Sequence, residues 1–235
     1  MPLDIFRIEL ISFDIDGTLA DTDDSIINNI CNHLQFLKKI TPSLDMQRFV
    51  RKLVMAVESP GNSFLHLLDR LCIDELIHLL RRRFFRLGMD SYHPQPWIPG
   101  TDRALRVLAQ TYPIAIISAR DESFTKAFIQ QMGIADLICI YASAETCLHT
   151  KPFPDQLLWI AAQSNIHPQN MLFVGDTTVD ILAGKRAGAQ TVGVLSGFGE
   201  RSELIAAGAN LILNDINSLP HILLHRYDHN SPSEN

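Results

Sequence analysis

The 235-residue chain holds only four cysteines (Cys31, Cys72, Cys139 and Cys147), and no two of them form a CxxC pair or join histidines at ligand spacing. A disulfide framework and a zinc site are therefore not expected, and the cysteines read as reduced thiols. Basic charge is not in excess: 20 Lys and Arg against 26 Asp and Glu give a formal net charge of −6. That balance argues against a general binder of nucleic acid or anionic membrane, which needs a basic patch. Uncharged apolar runs long enough to cross a membrane are missing. The first residues mix Asp4, Arg7 and Glu9 among apolar ones, unlike a signal peptide, so a cytoplasmic protein is expected. No internal repeat is present. None of these absences excludes a small anionic substrate, because a metal ion and a few local cations outweigh the global charge.

What is present is an ordinary globular composition, 46% hydrophobic and 20% charged, arranged in two textures. The first is a set of short apolar runs ending in small, hydroxyl or acidic residues: Ile8–Phe13 before Asp14, Ile114–Ile117 before Ser118, Met171–Val174 before Gly175-Asp176, and Thr191–Leu195 before Ser196-Gly197. Leu137–Tyr141 and Leu211–Leu213 are weaker members. Such runs fit buried parallel strands. Helical patterns lie between them, with Leu105, Leu108 and Ala109 on one face, Leu157, Leu158, Ala161 and Ala162 on another, and Ile181-Leu182 before a stop near Gly188. Strand alternating with helix predicts an α/β fold, a doubly wound parallel sheet whose chemistry sits at the carboxyl ends of the strands.

The second texture, 21–95, has no strand-like run but repeats apolar residues at helical spacing, as in Ile26, Ile27, Ile30, Leu34 and Leu37. An all-helical domain inserted after the first strand is expected there. The α/β core would then comprise 1–20 and 96–225, and 226–235 a polar, frayed tail.

The candidate chemistry begins at Asp14-Ile15-Asp16-Gly17-Thr18. Two carboxylates flanking one residue at a strand end are costly to bury unless a cation compensates them. Alternation along the strand points both the same way. A second cluster, Gly175-Asp176-Thr177-Thr178-Val179-Asp180, follows another apolar run and leads into a helix. It would place Asp176 on the loop and Asp180 in the first helical turn, where helix polarity favours a carboxylate. Four carboxylates without histidine or cysteine make a hard, all-oxygen site that favours Mg²⁺. A phosphate suits such a site, because its oxygens complete the coordination of a metal held by few carboxylates. Ser118 offers a hydroxyl and neighbouring backbone N–H groups at the same sheet edge. Lys151, in Lys151-Pro152-Phe153-Pro154, offers a cation on a proline-stiffened loop to balance an anion.

These four elements, in this order, resemble the haloacid dehalogenase superfamily: DxDGT, a strand-end Ser/Thr, a lysine and GDxxxD. The likeness runs from Ile8 to about Leu224 and is closest to the phosphoglycolate-phosphatase-like members, which carry a helical cap after the first strand. The resemblance implies that Asp14 is a nucleophile that also ligates Mg²⁺. It implies that Asp16 protonates the leaving oxygen and later activates water, its backbone carbonyl on the metal. Ser118, Ala119 through its N–H, and Lys151 would hold the phosphoryl oxygens. Asp176 and Asp180 would complete the metal site. A small phosphorylated metabolite is the implied partner. In this cap type the specificity loop maps to Glu58–Ser63, which makes Asn62 a candidate substrate contact.

One departure stands out: where the family often has asparagine after the Ser/Thr, this chain has Ala119, followed by Arg120. Arg120 either replaces the missing contact or lies on the surface. The dehalogenase branch lacks the second aspartate and is disfavoured by Asp16. A sugar-phosphate mutase shares the same residues and stays open, as does, less readily, a non-catalytic phospho-acceptor protein. Physiological substrate and oligomeric state are not legible.

Overall fold

The computed structural model describes residues 2–21 and 97–224. The chain divides into two compact units, Met1–Asp21 with Pro96–Asn235, and Thr22–Gln95. The helices expected over 21–95, the Glu58–Ser63 loop with Asn62, and the tail from 226 lie outside the described residues.

The first unit is built on six parallel strands, β1 (Leu10–Phe13), β2 (Ile114–Ile117), β3 (Ile138–Ala142), β4 (Met171–Gly175), β5 (Gln190–Val194) and β6 (Leu211–Leu213), in the order β3-β2-β1-β4-β5-β6. The connecting helices are α1 (Thr101–Leu108), α2 (Glu122–Gln131), α3 (Asp155–Ser164), α4 (Thr178–Ala187), α5 (Arg201–Ala207) and α6 (Leu219–Leu224). This is the doubly wound α/β fold expected from the alternating textures.

Why the central strands read as continuous apolar runs is visible in their alternation. Ile11 and Phe13 of β1, Ile114 and Ile116 of β2, and Leu172 and Val174 of β4 point into one core, shared with Leu105 and Leu108 of α1, Phe128 of α2 and Leu219 of α6. Leu10, Ala115, Ile117, Met171 and Phe173 point into the opposite core, against Leu157 and Ile160 of α3 and Ala183 of α4. Both faces are covered, so neither parity needs a polar residue.

Local details differ from expectation for physical reasons. The Ile8–Phe13 run becomes strand only at Leu10, because Asp4 accepts a hydrogen bond from the Phe6 N–H and caps a 3₁₀ turn over Ile5–Arg7. In α3 the buried stripe is Gln156, Leu157, Ile160 and Ala161. Leu158 is 42% exposed and Ala162 is exposed as well. Each lies one residue, about 100° of helix, past the buried stripe.

The sheet order reverses direction between β1 and β4. In open α/β sheets the crevice outside the carboxyl ends at such a point is where ligands bind. The chain leaves this unit after Asp21 and returns at Pro96; beside that crossing Ala20 and Trp97 bridge each other, and the Ile98 N–H donates to Leu19 O at 3.1 Å. Among the described residues no helix is long and apolar enough to cross a membrane.

Candidate active site

Asp14 continues directly from β1, its N–H donating to Val174 O at 2.9 Å and so extending the ladder with β4 by one residue. Gly17, at φ 73, then turns the chain, a left-handed conformation that glycine adopts without a Cβ penalty. The turn closes through the Gly17 N–H to Ala20 O and the Leu19 N–H to Ile15 O, both 2.9 Å. On the adjacent strand, Gly175 ends β4 and Asp176 follows. A Cβ at Gly175 would collide with the Asp180 side chain, so the glycine makes room for α4 to start there. Asp180 sits in the first turn of α4, its Oδ2 accepting from the Thr177 N–H at 3.0 Å and the Thr177 hydroxyl at 2.6 Å.

These turns bring together one carboxylate oxygen each from Asp14, Asp176 and Asp180, all within 4.8 Å of one another and all on buried residues. Lys151, from the segment between β3 and α3, reaches into this group. Its Nζ donates to Asp14 Oδ1 at 2.6 Å and pairs with Asp180 Oδ1 at 2.7 Å. It also lies 5.8 Å from the Phe173 ring centroid.

The electrostatics follow from three buried carboxylates around one cation. Burial pushes the Asp14 carboxyl up to about 8; Lys151 opposes this, while Asp180 and Asp16 push the same way. For Lys151 burial works against the charge, but Asp14 and Asp180 outweigh it and hold the ammonium above the usual lysine range. The site is short of positive charge. Clustered carboxylate oxygens suit a hard divalent cation, which would supply that charge; Asp14, Asp176 and Asp180 are the residues placed to hold it.

Asp16 is placed differently. Its carboxylate is not in the cluster of three; it receives a fork from Arg120, with Nε donating to Oδ2 and Nη2 to Oδ1, both at 3.0 Å. Asp14 and Asp16 thus leave the strand end with separate partners. Arg120 is not a surface residue: its side chain is 19% exposed, and its guanidinium lies 5.0 Å from the Phe124 ring centroid.

Ser118 is buried at the end of β2. Its Oγ accepts from the Arg120 N–H at 3.0 Å, and its carbonyl accepts from Gln156 Nε2 at 2.9 Å. Gln156 also donates to Ser143 O at 2.7 Å, tying the β2 and β3 ends to α3. Ala119 is exposed at the edge of this turn.

Two supports escape a reading of the sequence. One is Gln156, whose polar signal is hidden within an apolar helix face. The other is Ser196-Gly197-Phe198-Gly199, after β5. There the Phe198 N–H donates to Asp176 Oδ2 at 2.8 Å, and the Ser196 hydroxyl donates to Gly17 O at 2.8 Å. Side chains at Gly197 and Gly199 would strike the Asp176 carboxylate and carbonyl respectively. The Gly-x-Gly spacing was the available signal.

A doubly wound sheet with clustered buried carboxylates and a lysine at its switch point has the make-up of a catalytic centre. The family model for haloacid dehalogenase-like hydrolases matches residues 11–194, and the chain belongs to that family. It is 28% identical over 220 residues to the phosphoglycolate phosphatase of Pseudomonas putida, covering 89% of this chain and 78% of that one. To the Vibrio vulnificus phosphoglycolate phosphatase it is 26% identical over 222 residues, 93% of this chain and 97% of the relative. Among solved structures, a haloacid dehalogenase-like hydrolase from Bacteroides fragilis shares the fold, with a TM-score of 0.71 at 24% identity over 90% of this chain and 99% of that one. A Thermotoga maritima structure described as a β-phosphoglucomutase shares the fold at a TM-score of 0.61 and 17% identity over 93% of this chain and 100% of that one. The fold itself therefore does not separate phosphatase from mutase.

Proposed function

We propose that this protein is a Mg²⁺-dependent phosphatase that hydrolyses a small phosphate monoester through a phospho-aspartate at Asp14, with 2-phosphoglycolate as the first substrate to test. The observation that carries the proposal is the buried group of Asp14, Asp176, Asp180 and Lys151 at the switch point between β1 and β4. The names of the relatives at 26 to 28% identity support the substrate class.

In the first step an Asp14 carboxylate oxygen attacks phosphorus, the ester P–O bond breaks, and Asp16 gives a proton to the departing alcohol oxygen. In the second, Asp16 takes a proton from water as the water oxygen attacks phosphorus. The bond to Asp14 then breaks and phosphate leaves. Two easier steps thus replace one difficult displacement. Ser118, the Ala119 N–H and Lys151 hold the phosphoryl oxygens, and Lys151 balances charge on them in a site closed to water on most sides. Asp14, Asp176 and Asp180, with the Asp16 carbonyl, would hold the Mg²⁺, which adds fixed positive charge against the phosphoryl group. A helical cap over 21–95, with Asn62 in its Glu58–Ser63 loop, would choose among leaving groups.

Hydrolysis of p-nitrophenyl phosphate and 2-phosphoglycolate is measured with and without Mg²⁺, together with the mass of acid-quenched protein. Wild-type protein should turn over with Mg²⁺ and carry a phosphoryl group on Asp14, and Asp14→Asn should do neither. Wild-type-like turnover by that variant overturns the assignment. Release of free phosphate, rather than transfer between positions of one sugar, separates phosphatase from mutase.

A further inference from the structure

Gln156 is a fully buried amide in the first turn of α3, on the same stripe as Leu157, Ile160 and Ala161. Its Nε2 donates to two main-chain carbonyls, Ser118 O at 2.9 Å and Ser143 O at 2.7 Å. Both carbonyls follow the last register pair of β2 and β3, Ile117 with Ala142. The next N–H along β3, that of Ala144, donates to Arg120 O instead. One side-chain amide, with two N–H donors, therefore serves the pair of carbonyls. Only the Nε2 end can face two oxygens, and Oε1 at the other end is buried with no hydrogen-bond partner among the described residues. Satisfying two carbonyls is a structural reason for a glutamine here. The geometry of the peptide adds a direction to it.

The Ser118–Ala119 peptide is trans, and in a planar trans peptide the C=O and the N–H point in opposite directions. Holding Ser118 O toward α3 therefore turns the N–H of the same peptide, which belongs to Ala119, away from α3. The second carbonyl shows the same effect. With Ser143 O on Gln156, the Ala144 N–H points the other way and donates to Arg120 O at 2.8 Å. Among the described residues the Ala119 N–H has no protein acceptor. We infer that Gln156 is a positioning residue, which sets the plane of the Ser118–Ala119 peptide and so aims the Ala119 N–H at a phosphoryl oxygen. This role rests on the phosphatase proposal and goes beyond it, naming a residue that acts on the anion through the main chain without touching it. Because α3 begins at Asp155, just past the Lys151 loop, the same amide ties the Ser118 turn to the segment that carries Lys151. The carboxylate cluster stands instead on the segments that follow β1 and β4, so metal binding and phosphate binding can be read apart.

The test compares wild type with Gln156→Met, which keeps the length of the side chain and removes both donors. Inorganic phosphate is titrated as an inhibitor of p-nitrophenyl phosphate hydrolysis at saturating Mg²⁺, and Mg²⁺ alone is titrated by calorimetry. One misaimed donor to an anion predicts that the phosphate inhibition constant and KM rise about 3- to 30-fold, with Mg²⁺ affinity unchanged. A lower melting temperature with unchanged phosphate affinity overturns the inference and leaves Gln156 as a structural tie. Parallel losses of phosphate and Mg²⁺ affinity overturn it as well. If Gln156→Met does not fold, the NMR resonances of the two Nε2 protons in wild-type protein decide. Phosphate accepting from the Ala119 N–H polarises the Ser118 carbonyl. With Mg²⁺ present, added phosphate should then move the proton on Ser118 O downfield more than the one on Ser143 O. Equal movement of both, or of neither, overturns the inference. Wild-type protein that neither hydrolyses p-nitrophenyl phosphate nor binds phosphate refutes the phosphatase proposal and this inference with it, a result distinct from the others.

Discussion

Lys151 Nζ lies 2.6 Å from Asp14 Oδ1, with both side chains buried. The second partner of Nζ is Asp180, so one ammonium is the local counter-charge for a pair of carboxylates. Removing one member of a buried ion pair leaves uncompensated charge and typically costs about 3–5 kcal/mol. Lys151→Met keeps the stem and removes the charge. In metal-free buffer its melting temperature should fall by on the order of 10 °C, and Mg²⁺ should recover part of the loss. A variant that melts with wild type in EDTA would show that Nζ does not neutralise this group.

The charge shortage also sets a pH dependence. Burial foremost raises the folded Asp14 pKa from 3.8 to about 8, so between those values the folded state holds a proton that the unfolded state has released. Stability in EDTA therefore falls as pH rises through that window, by at most about 1.4 kcal/mol per unit from this group. Asp14→Asn has no such proton and should give a flatter curve of melting temperature against pH from 5 to 8. Since a metal needs the carboxylate ionised, Mg²⁺ should stabilise wild-type protein more at pH 8 than at pH 6. Parallel curves for wild type and variant in EDTA would refute the Asp14 contribution.

How much of this was legible depends on whether a residue's signal is local. The strands β1, β2 and β4 announce themselves because both of their faces are buried, so Leu10–Phe13 and Ile114–Ile117 are apolar at every position but Ser12. The half-exposed edge strand β3 reads more weakly for the same reason. That Asp14, Ser118 and Asp176 directly follow strand ends is legible from the alternation of texture. What does not follow is who faces whom. The Arg120 fork to Asp16 joins residues 104 apart, and Phe198 supports Asp176 from 22 residues away. Both depend on the order of strands in the sheet, which no local spacing encodes.

Asp176 is buried on the loop after β4 and contributes an oxygen to the carboxylate cluster. If it ligates the metal, Asp176→Asn should remove most of the Mg²⁺-induced rise in melting temperature. For wild type, Mg²⁺ at a hundred times its dissociation constant stabilises by about 2.7 kcal/mol, a shift on the order of 5–10 °C for a chain of this size. Calcium and zinc run alongside would report whether the site prefers a hard cation. Retention of the full Mg²⁺ shift by Asp176→Asn would remove this residue from the ligand set.

Gly197 and Gly199 flank Phe198, whose N–H holds the Asp176 carboxylate, yet they meet different parts of that aspartate. A methyl at Gly197 strikes the side chain, which can rotate away; one at Gly199 strikes the main-chain carbonyl, which cannot move without the strand end. Gly197→Ala should therefore keep the fold, melting within a few degrees of wild type in EDTA, while weakening Mg²⁺ binding about tenfold or more by displacing a carboxylate oxygen. Gly199→Ala should instead lower stability first, by about 1–3 kcal/mol as overpacking does. Calorimetric Mg²⁺ titration and thermal unfolding of both variants separate the two effects. Equal Mg²⁺ affinity in Gly197→Ala and wild type would show that the glycine does not keep Asp176 in place.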